Sequence, residues 1–500
     1  GDARARARRA RRARRAVARW ILGRPPRRRG ARDRHRGRAQ RRGAARRGRR
    51  RARGGGGGGG GRGGDDDASG RREDHWRSLR LFSSNDYLGL SSHPAVRAAA
   101  SDASLRHGCG PRSSPLVAGY TREHRELETA LAALKKTEEC ALFPSGYAAN
   151  CGVLQTLADG ADVTIFSDAL NHASIVDGCR LASRTSGAKV VTYAHCDVDD
   201  LERKMNETTR CDGGGGGHRG GGRRGGRRNV VVTDSIFSMD GDFAPIRALV
   251  ALKTRHPGTL LIVDEAHATL VCGATGGGAV EACGVDEMNG LGAGVDVHVG
   301  TLSKAFGSHG GFVACRRDVK RLLVSRARSQ VYSTALPAPC VAAASAALRV
   351  GAGEGEGDAL RRKLWRHVRT VDDALRGGGG GGGGDRTHLD HARAGFLPPP
   401  PLDGGSGSGG VGPGVVRSPI VPVPCGVGAD RGGEAAALAT ATRLLRAGIH
   451  APAIRPPTVP RGSSRVRVTL SAAHSDEDVA ALVAALRAAG AGGRGASAAL

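Results

Sequence analysis

Short, uninterrupted apolar runs alternate along this chain with stretches whose apolar residues recur every three or four positions. Residues 121–136 place Leu127, Leu131 and Leu134 on one helical face. A strand is predicted over Ala141–Phe143, a helix from about Tyr147, a strand over Val163–Phe166, a helix over His172–Ser183 and a strand over Lys189–Tyr193. The series resumes with strand Val230–Thr233, helix Ile246–Arg255, and strands Leu260–Val263 and Val295–Leu302. Strands that are apolar on both faces and separated by amphipathic helices imply a parallel sheet covered on both sides. After about residue 340 the rhythm changes to a helix, two extended segments (Ile420–Pro424 and Val466–Leu470) and a closing helix. Ser475 caps that helix with Asp478 three positions on, Val479, Leu482, Val483 and Leu486 form its stripe, and Gly490 ends it. The expected fold class is α/β. A large domain over 121–340 holds a mostly parallel sheet flanked by helices, and a small C-terminal α+β domain spans 341–490. A segment over 71–120 precedes them and a tail over 491–500 follows.

Composition changes this picture in two places. Glycine supplies 80 of 500 residues, concentrated at 54–64, 213–226, 377–384 and 404–414. Such runs lack the apolar surface that offsets the entropy of ordering them, so they read as disordered, the last three as insertions into surface loops. The formal charge of +30 is equally uneven: residues 1–64 hold 26 Arg and two acids, while the remainder carries 51 basic and 45 acidic side chains. Residues 1–70 therefore read as a disordered Arg/Gly-rich extension, and the body is not a basic nucleic-acid-binding domain. Eleven cysteines with no C-x-x-C pair point to reduced thiols in an intracellular protein, without a disulfide framework or a metal site. No apolar run is long enough to span a membrane. The Arg/Ala-rich, acid-poor start is like an organelle transit peptide but nearly lacks serine, which leaves the cytoplasm, mitochondrion, chloroplast and peroxisome all open.

The candidate chemistry sits at strand ends. Asp264 closes the apolar strand Leu260–Val263 in the run Asp264-Glu-Ala-His267, where open parallel sheets bind ligands. The same four letters occur in a metal-binding box of RNA helicases, but that chemistry needs a phosphate loop ending in Gly-Lys, and the chain has no such dipeptide. Lys304 follows a strand in Thr301-Leu-Ser-Lys304-Ala-Phe-Gly, one of eight lysines against 69 arginines. A desolvated lysine there can form a Schiff base, and the Thr301 and Ser303 hydroxyls suit a phosphate. An acid for a pyridinium nitrogen, a Schiff-base lysine and a phosphate site together meet the needs of pyridoxal phosphate. His172 opens a helix just past a strand, where a flat ring could stack. Pro144-Ser-Gly146-Tyr147 sits at a strand-to-helix turn suited to an anion.

These motifs resemble the α-oxoamine synthases, which are fold-type I pyridoxal-phosphate transferases. The matching stretches are Phe82-Ser-Ser-Asn85-Asp-Tyr-Leu-Gly-Leu90, Phe143-Pro-Ser-Gly-Tyr-Ala-Ala-Asn150, Phe237-Ser-Met-Asp-Gly-Asp242, the Asp264 and Lys304 runs, Gly310-Gly-Phe-Val-Ala-Cys315 and Arg455-Pro-Pro-Thr-Val-Pro460. The resemblance covers about residues 81–490 apart from the glycine inserts. It implies that Lys304 holds the cofactor and moves protons, that Asp264 pairs with the ring nitrogen, and that His172 stacks on the ring. It also implies that Ser238 and His267 approach the phenolic oxygen, and that Gly146, Tyr147 and Thr301 hold the phosphate. Asn85 and Arg455 would grip an amino-acid carboxylate, Thr458 would line the acyl path, and Thr334 would reach a neighbouring subunit's phosphate in a homodimer. The closest branch condenses L-alanine with a pimeloyl thioester, carried by CoA or by an acyl carrier protein. Sister branches use glycine or serine with other acyl groups. Two departures stand out: Ala268 replaces the glycine usual after this run, and the expected N-terminal helix with its substrate-binding Arg is not legible. A reading of another class makes the Arg/Gly arm an RNA-binding element on an idle scaffold.

Overall fold

The computed structural model describes residues 77–211, 228–285, 294–376, 418–425 and 433–490. The four glycine-rich stretches, the 1–70 extension and the 491–500 tail lie outside them.

Twelve strands are present among the described residues: β1 (Arg80–Leu81), β2 (Glu139–Phe143), β3 (Val163–Asp168), β4 (Lys189–Tyr193), β5 (Arg228–Asp234), β6 (Thr259–Asp264), β7 (Val297–Thr301), β8 (Gly311–Cys315), β9 (Ile420–Pro424), β10 (Ile449–His450), β11 (Ala453–Ile454) and β12 (Arg465–Thr469). Seven of them form one sheet in the order β2-β8-β7-β6-β5-β3-β4. The pairs β4/β3, β3/β5, β5/β6 and β6/β7 are parallel, whereas β8 runs antiparallel to both its neighbours. The expectation of a mostly parallel sheet therefore holds. Strand β8 was recognised only as a motif, because a buried antiparallel strand between two others carries the same apolar pattern as a parallel one.

The principal helices are α1 (Pro94–His107), α2 (Arg122–Leu134), α3 (Gly146–Leu157), α4 (Ala173–Ser186), α5 (Val198–Cys211), α6 (Ile246–Arg255), α7 (Arg317–Arg326), α8 (Ala338–Gly351), α9 (Glu356–Arg376), α10 (Glu434–Arg446) and α11 (Asp476–Ala488). They cover both faces of the sheet. Val230, Val232, Leu260 and Ile262 point into one core with Val153 and Leu157 of α3 and Ile175 of α4. Val231, Leu261 and Val263 point into the other, with Leu249 of α6 and Leu127 and Leu131 of α2. Alternate residues of one strand thus serve two cores, which is why the strands read as unbroken apolar runs. The single helix expected after residue 340 is two, α8 and α9, with α10 following β9. Both halves of the capping box at Ser475 and Asp478 form.

A three-stranded antiparallel sheet, β11-β12-β9, makes the smaller α+β part. The segment that precedes the large sheet in sequence joins this part. Strand β1 pairs in parallel with β10, Phe82 N donates to His450 O at 2.9 Å, and Thr469 N donates to Phe82 O at 2.8 Å. That stitching delivers residues 85–87 to the carboxyl ends of the large sheet.

Gly311 governs how closely helix α3 approaches those ends. A Cβ on it would lie 2.3 Å from Ser145 O and 2.6 Å from Gly146 N. Gly311→Ala is expected to destabilise the fold by about 1–3 kcal/mol through overpacking, read as a lowered urea midpoint. An unchanged midpoint would show that the α3 terminus yields freely.

Candidate active site

Register sets the site. Asp234 and Asp264 are paired residues at the ends of β5 and β6, and Thr301 ends β7. Asp264 Oδ2 accepts from Asn150 Nδ2 at 2.6 Å and its Oδ1 accepts from Ala266 N at 2.8 Å, so both oxygens are held as acceptors. Asp234 Oδ2 accepts from His172 N at 2.7 Å. Burial, and then the charge of Asp264, push the Asp234 carboxyl well above the usual range. Two carboxylates side by side in a buried cleft cannot both ionise cheaply, and Asp264 is the one with a donor on each oxygen.

Lys304 lies three residues beyond β7, with Nζ 2.9 Å from His267 Nε2. Burial brings its amine down from 10.5 to about 8, against the upward pull of Asp264 and Asp234 and with a further push from Arg467. His267 is buried and held far below the ordinary imidazole range by desolvation and by the Lys304 charge, so it is neutral. Its Nδ1 lies 2.6 Å from Tyr87 Oη, a fully buried phenol. Ala268, the departure from the usual glycine, has its methyl buried in the core, and His267 keeps both ring contacts.

Arg467 completes the far wall. Its guanidinium donates to Asn85 Oδ1 at 3.3 and 3.4 Å, to Thr469 Oγ1 at 3.0 Å and to Ser238 O at 2.6 Å. Ser238 thus enters through its backbone. Its turn is tied to the sheet by His195, whose ring bonds Asp168 at 2.9 Å and Asp242 at 2.7 Å. Burial opposes the imidazolium of His195, yet these two carboxylates push its pKa up to about 12.

His172 caps α4, with Nδ1 accepting from Ser174 N at 3.2 Å. Burial lowers its pKa, and the Lys304 charge adds to this. At the start of α3 the Ser145 hydroxyl accepts from Ala148 N at 3.1 Å, leaving the amides of Gly146 and Tyr147 facing the open end of the helix. A Cβ on Gly146 would lie 3.3 Å from Thr301 Cβ and 3.6 Å from its Oγ1. This bare helix N-terminus beside the Thr301 and Ser303 hydroxyls, which are 2.7 Å apart, fits a phosphate. With Asp264 and Lys304 the donor set suits pyridoxal phosphate. The Tyr147 side chain turns away, donating to Asp177 Oδ2 at 2.6 Å.

The structure therefore gathers Asn85, His172, Asp264, His267, Thr301 and Lys304 at the sheet's carboxyl end, with Gly146 against Thr301. Three expected residues sit differently. Arg455 and Thr458 are exposed on one turn after β11, joined by Thr458 N to Arg455 O at 3.0 Å. The guanidinium that reaches Asn85 belongs to Arg467, a buried residue of β12. Thr334 is exposed at the edge of a small pocket lined also by Tyr120, His124 and Gln330.

Residues 78–486 match the aminotransferase class I and II family. The 8-amino-7-oxononanoate synthase of Arabidopsis thaliana is 41% identical over 428 residues, 83% of this chain and 75% of that protein. That of Anaeromyxobacter dehalogenans is 45% identical over 412 residues, 82% of this chain and 86% of that one. The chain belongs to this family, in the branch of the 8-amino-7-oxononanoate synthases. Among solved structures, Sphingomonas wittichii serine palmitoyltransferase is similar, with 30% identity, a TM-score of 0.65, and coverage of 82% of this chain and 88% of that one. Other serine palmitoyltransferase structures of this fold hold pyridoxal phosphate, the cofactor of the family.

Asn150, Asp234, Tyr87 and Arg467 are the site residues that sequence reasoning left without a role. A signal existed for two of them: Asp234 ends an apolar strand just as Asp264 does, and Arg467 lies between Val466 and Val468 in a segment expected to be a strand.

In cofactor-free protein, Lys304 is expected to react with a small aldehyde at a rate that rises with pH to a midpoint near 8. Only the unprotonated amine attacks, and a lowered pKa supplies it at lower pH. A midpoint near the ordinary lysine value of 10.5 would mean the amine is solvated.

Proposed function

We propose that this chain condenses L-alanine with a pimeloyl thioester, giving 8-amino-7-oxononanoate, CO2 and the free thiol. The observation that carries the reading is the Lys304 amine, brought down to about 8 beside a neutral imidazole and the Asp234–Asp264 pair. The identity to synthases of that name supports the substrates.

Pyridoxal phosphate, when bound, supplies an electron-withdrawing ring that stabilises negative charge at the α-carbon of the amino acid. Gly146 and Tyr147, through their amides, and Thr301, through its hydroxyl, would hold its phosphate. Asp264 would meet the ring nitrogen and keep it protonated, His172 would cover the ring face, and Ser238 and His267 would stand at the phenolic oxygen. Lys304 Nζ takes the α-proton of alanine and later returns one, a task suited to an amine whose pKa lies near working pH. Asn85 and Arg467 bind the alanine carboxylate, orienting the bond that breaks when CO2 leaves. Arg455 and Thr458, exposed on their shared turn, meet the acyl donor, whether a CoA or a carrier-protein thioester.

The same reading includes a homodimer in which Thr334 of one copy completes the phosphate site of the other. Its support is the exposure of Thr334 together with Tyr332 and Val117, which are 73% and 78% exposed. An intracellular location goes with it, supported by ten described cysteines that are all free thiols. No helix among the described residues is long and apolar enough to cross a membrane.

Free-thiol release is the direct test, offering L-alanine, glycine and L-serine, each with pimeloyl-, acetyl-, succinyl- and palmitoyl-CoA. Release with alanine plus pimeloyl-CoA is expected, and turnover only with another pair would move the chain to a sister activity. Lys304→Ala should lower turnover by roughly 10²- to 10⁴-fold or more. Arg467→Ala should raise KM for alanine roughly ten- to hundred-fold, the loss of a hydrogen-bonded charge. An unchanged KM would remove Arg467 from the carboxylate site.

A further inference from the structure

Asn150 lies on α3, is 1% exposed, and touches neither the phosphate cradle nor Lys304 through any hydrogen bond described. Its carboxamide nitrogen donates twice, to Asp264 Oδ2 at 2.6 Å and to Ser174 Oγ at 2.9 Å. Its Oδ1 is buried without a hydrogen-bond partner. The two donor bonds fix the amide's orientation, because turning it over would set Oδ1 against the Asp264 carboxylate.

The directions of the remaining bonds follow. Ser174 N donates at 3.2 Å to His172 Nδ1, which is therefore an acceptor, so the Ser174 hydroxyl, 2.7 Å from the same nitrogen, gives it its proton and accepts from Asn150. With two donors aimed at it, Nδ1 carries no proton, and the neutral ring bears its hydrogen on Nε2. At the other end, Asp264 accepts from Asn150 at one oxygen and from Ala266 N at the other, so the carboxyl group is held at both ends.

We propose that Asn150 is a positioning residue that sets two members of the site through one amide, holding the Asp264 carboxyl in place and, through Ser174, helping to fix His172 as the Nε2–H tautomer. The proposal rests on the reading above that the cofactor ring lies between Asp264 and His172. An amide is the side chain that can do this: two parallel donors of one group, with no charge of its own to titrate. A carboxylate of the same shape offers acceptors where donors are required.

Asn150→Asp tests it, because the shape is kept while the donors are lost. At about pH 8, pyridoxal phosphate affinity should fall roughly ten- to hundred-fold, as for a lost hydrogen bond to a charged group. Relative to wild type it should recover as the pH is lowered towards about 6, where the introduced carboxyl, raised by its neighbour Asp264, takes up a proton and can donate. The other titratable groups around the pair are Asp234, His172 and Lys304, and wild type measured in parallel removes their contribution. Affinity equal to wild type across this range would overturn the proposal, as would a loss that does not respond to pH. Should the variant not fold, ¹⁵N-histidine spectra of the wild-type holoprotein decide, with His172 assigned by His172→Gln. An unprotonated Nδ1 is expected, and a protonated Nδ1 overturns the assignment. Asp264→Asn tests the underlying reading separately: if it leaves cofactor affinity intact, the ring placement fails whatever Asn150 does.

Discussion

An amine that must stay partly unprotonated inside a polar cleft is the constraint on which the rest of this site depends. Lys304 could not do so in water, nor in a fully apolar pocket that offered nothing to its cationic form. The fold gives it burial, a neutral imidazole at hydrogen-bonding distance, and the Asp234–Asp264 pair. Each of these comes from a different element: the imidazole from the turn after β6, the carboxylates from the ends of β5 and β6, the lysine from beyond β7. Only a sheet with these strand ends in register can bring them together, so the two hydrophobic cores that align the strands also tune the lysine.

Polar burial is handled by the same logic one layer out. Glu265, fully buried next to Asp264 in sequence, is turned to the opposite side, where Lys135 at 2.8 Å and His298 at 2.8 Å hold it. Burial works against its charge, but this pair keeps its carboxyl at about 2. Neighbouring acids in one tetrapeptide therefore have separate tasks, one open to ligand and one locked into the scaffold. A buried pair of this kind adds little net stability compared with apolar packing, but removing one partner leaves an uncompensated charge. It fixes where the chain runs.

Much of this was legible in the sequence, for physical reasons that differ by element. Strands β3, β5 and β6 announced themselves because both their faces are buried, and α4 and α11 because their caps and stripes are local. Asp264 and Lys304 stood out because an acid and a lysine at strand ends, with hydroxyls beside the lysine, together meet the needs of one cofactor, and His267 lies three residues past that acid. Strand β8 was hidden because direction is a property of the partner and not of the run. The two-residue strands β1 and β10 have too few positions to show any period. Which arginine lies buried beside Asn85 is not legible in the sequence, because Arg467 comes there only through the pairing of β12 in the smaller sheet. Asn150 was quoted in a motif but given no task, since a buried amide leaves no periodic trace.

The stitching of β1 to β10 has a consequence for the order in which the protein comes into being. Asn85 and Arg467, hydrogen-bonded to each other in one wall of the cleft, are 382 residues apart in the chain. A polypeptide emerging from the ribosome can assemble the large sheet, and with it Lys304 and Asp264, well before β12 exists. Until then the Phe82 backbone lacks both the His450 carbonyl and the Thr469 amide that hold it in the finished fold. The last quarter of translation thus closes a clasp made at the beginning, and a truncated chain would carry the reactive lysine without the wall that confines it.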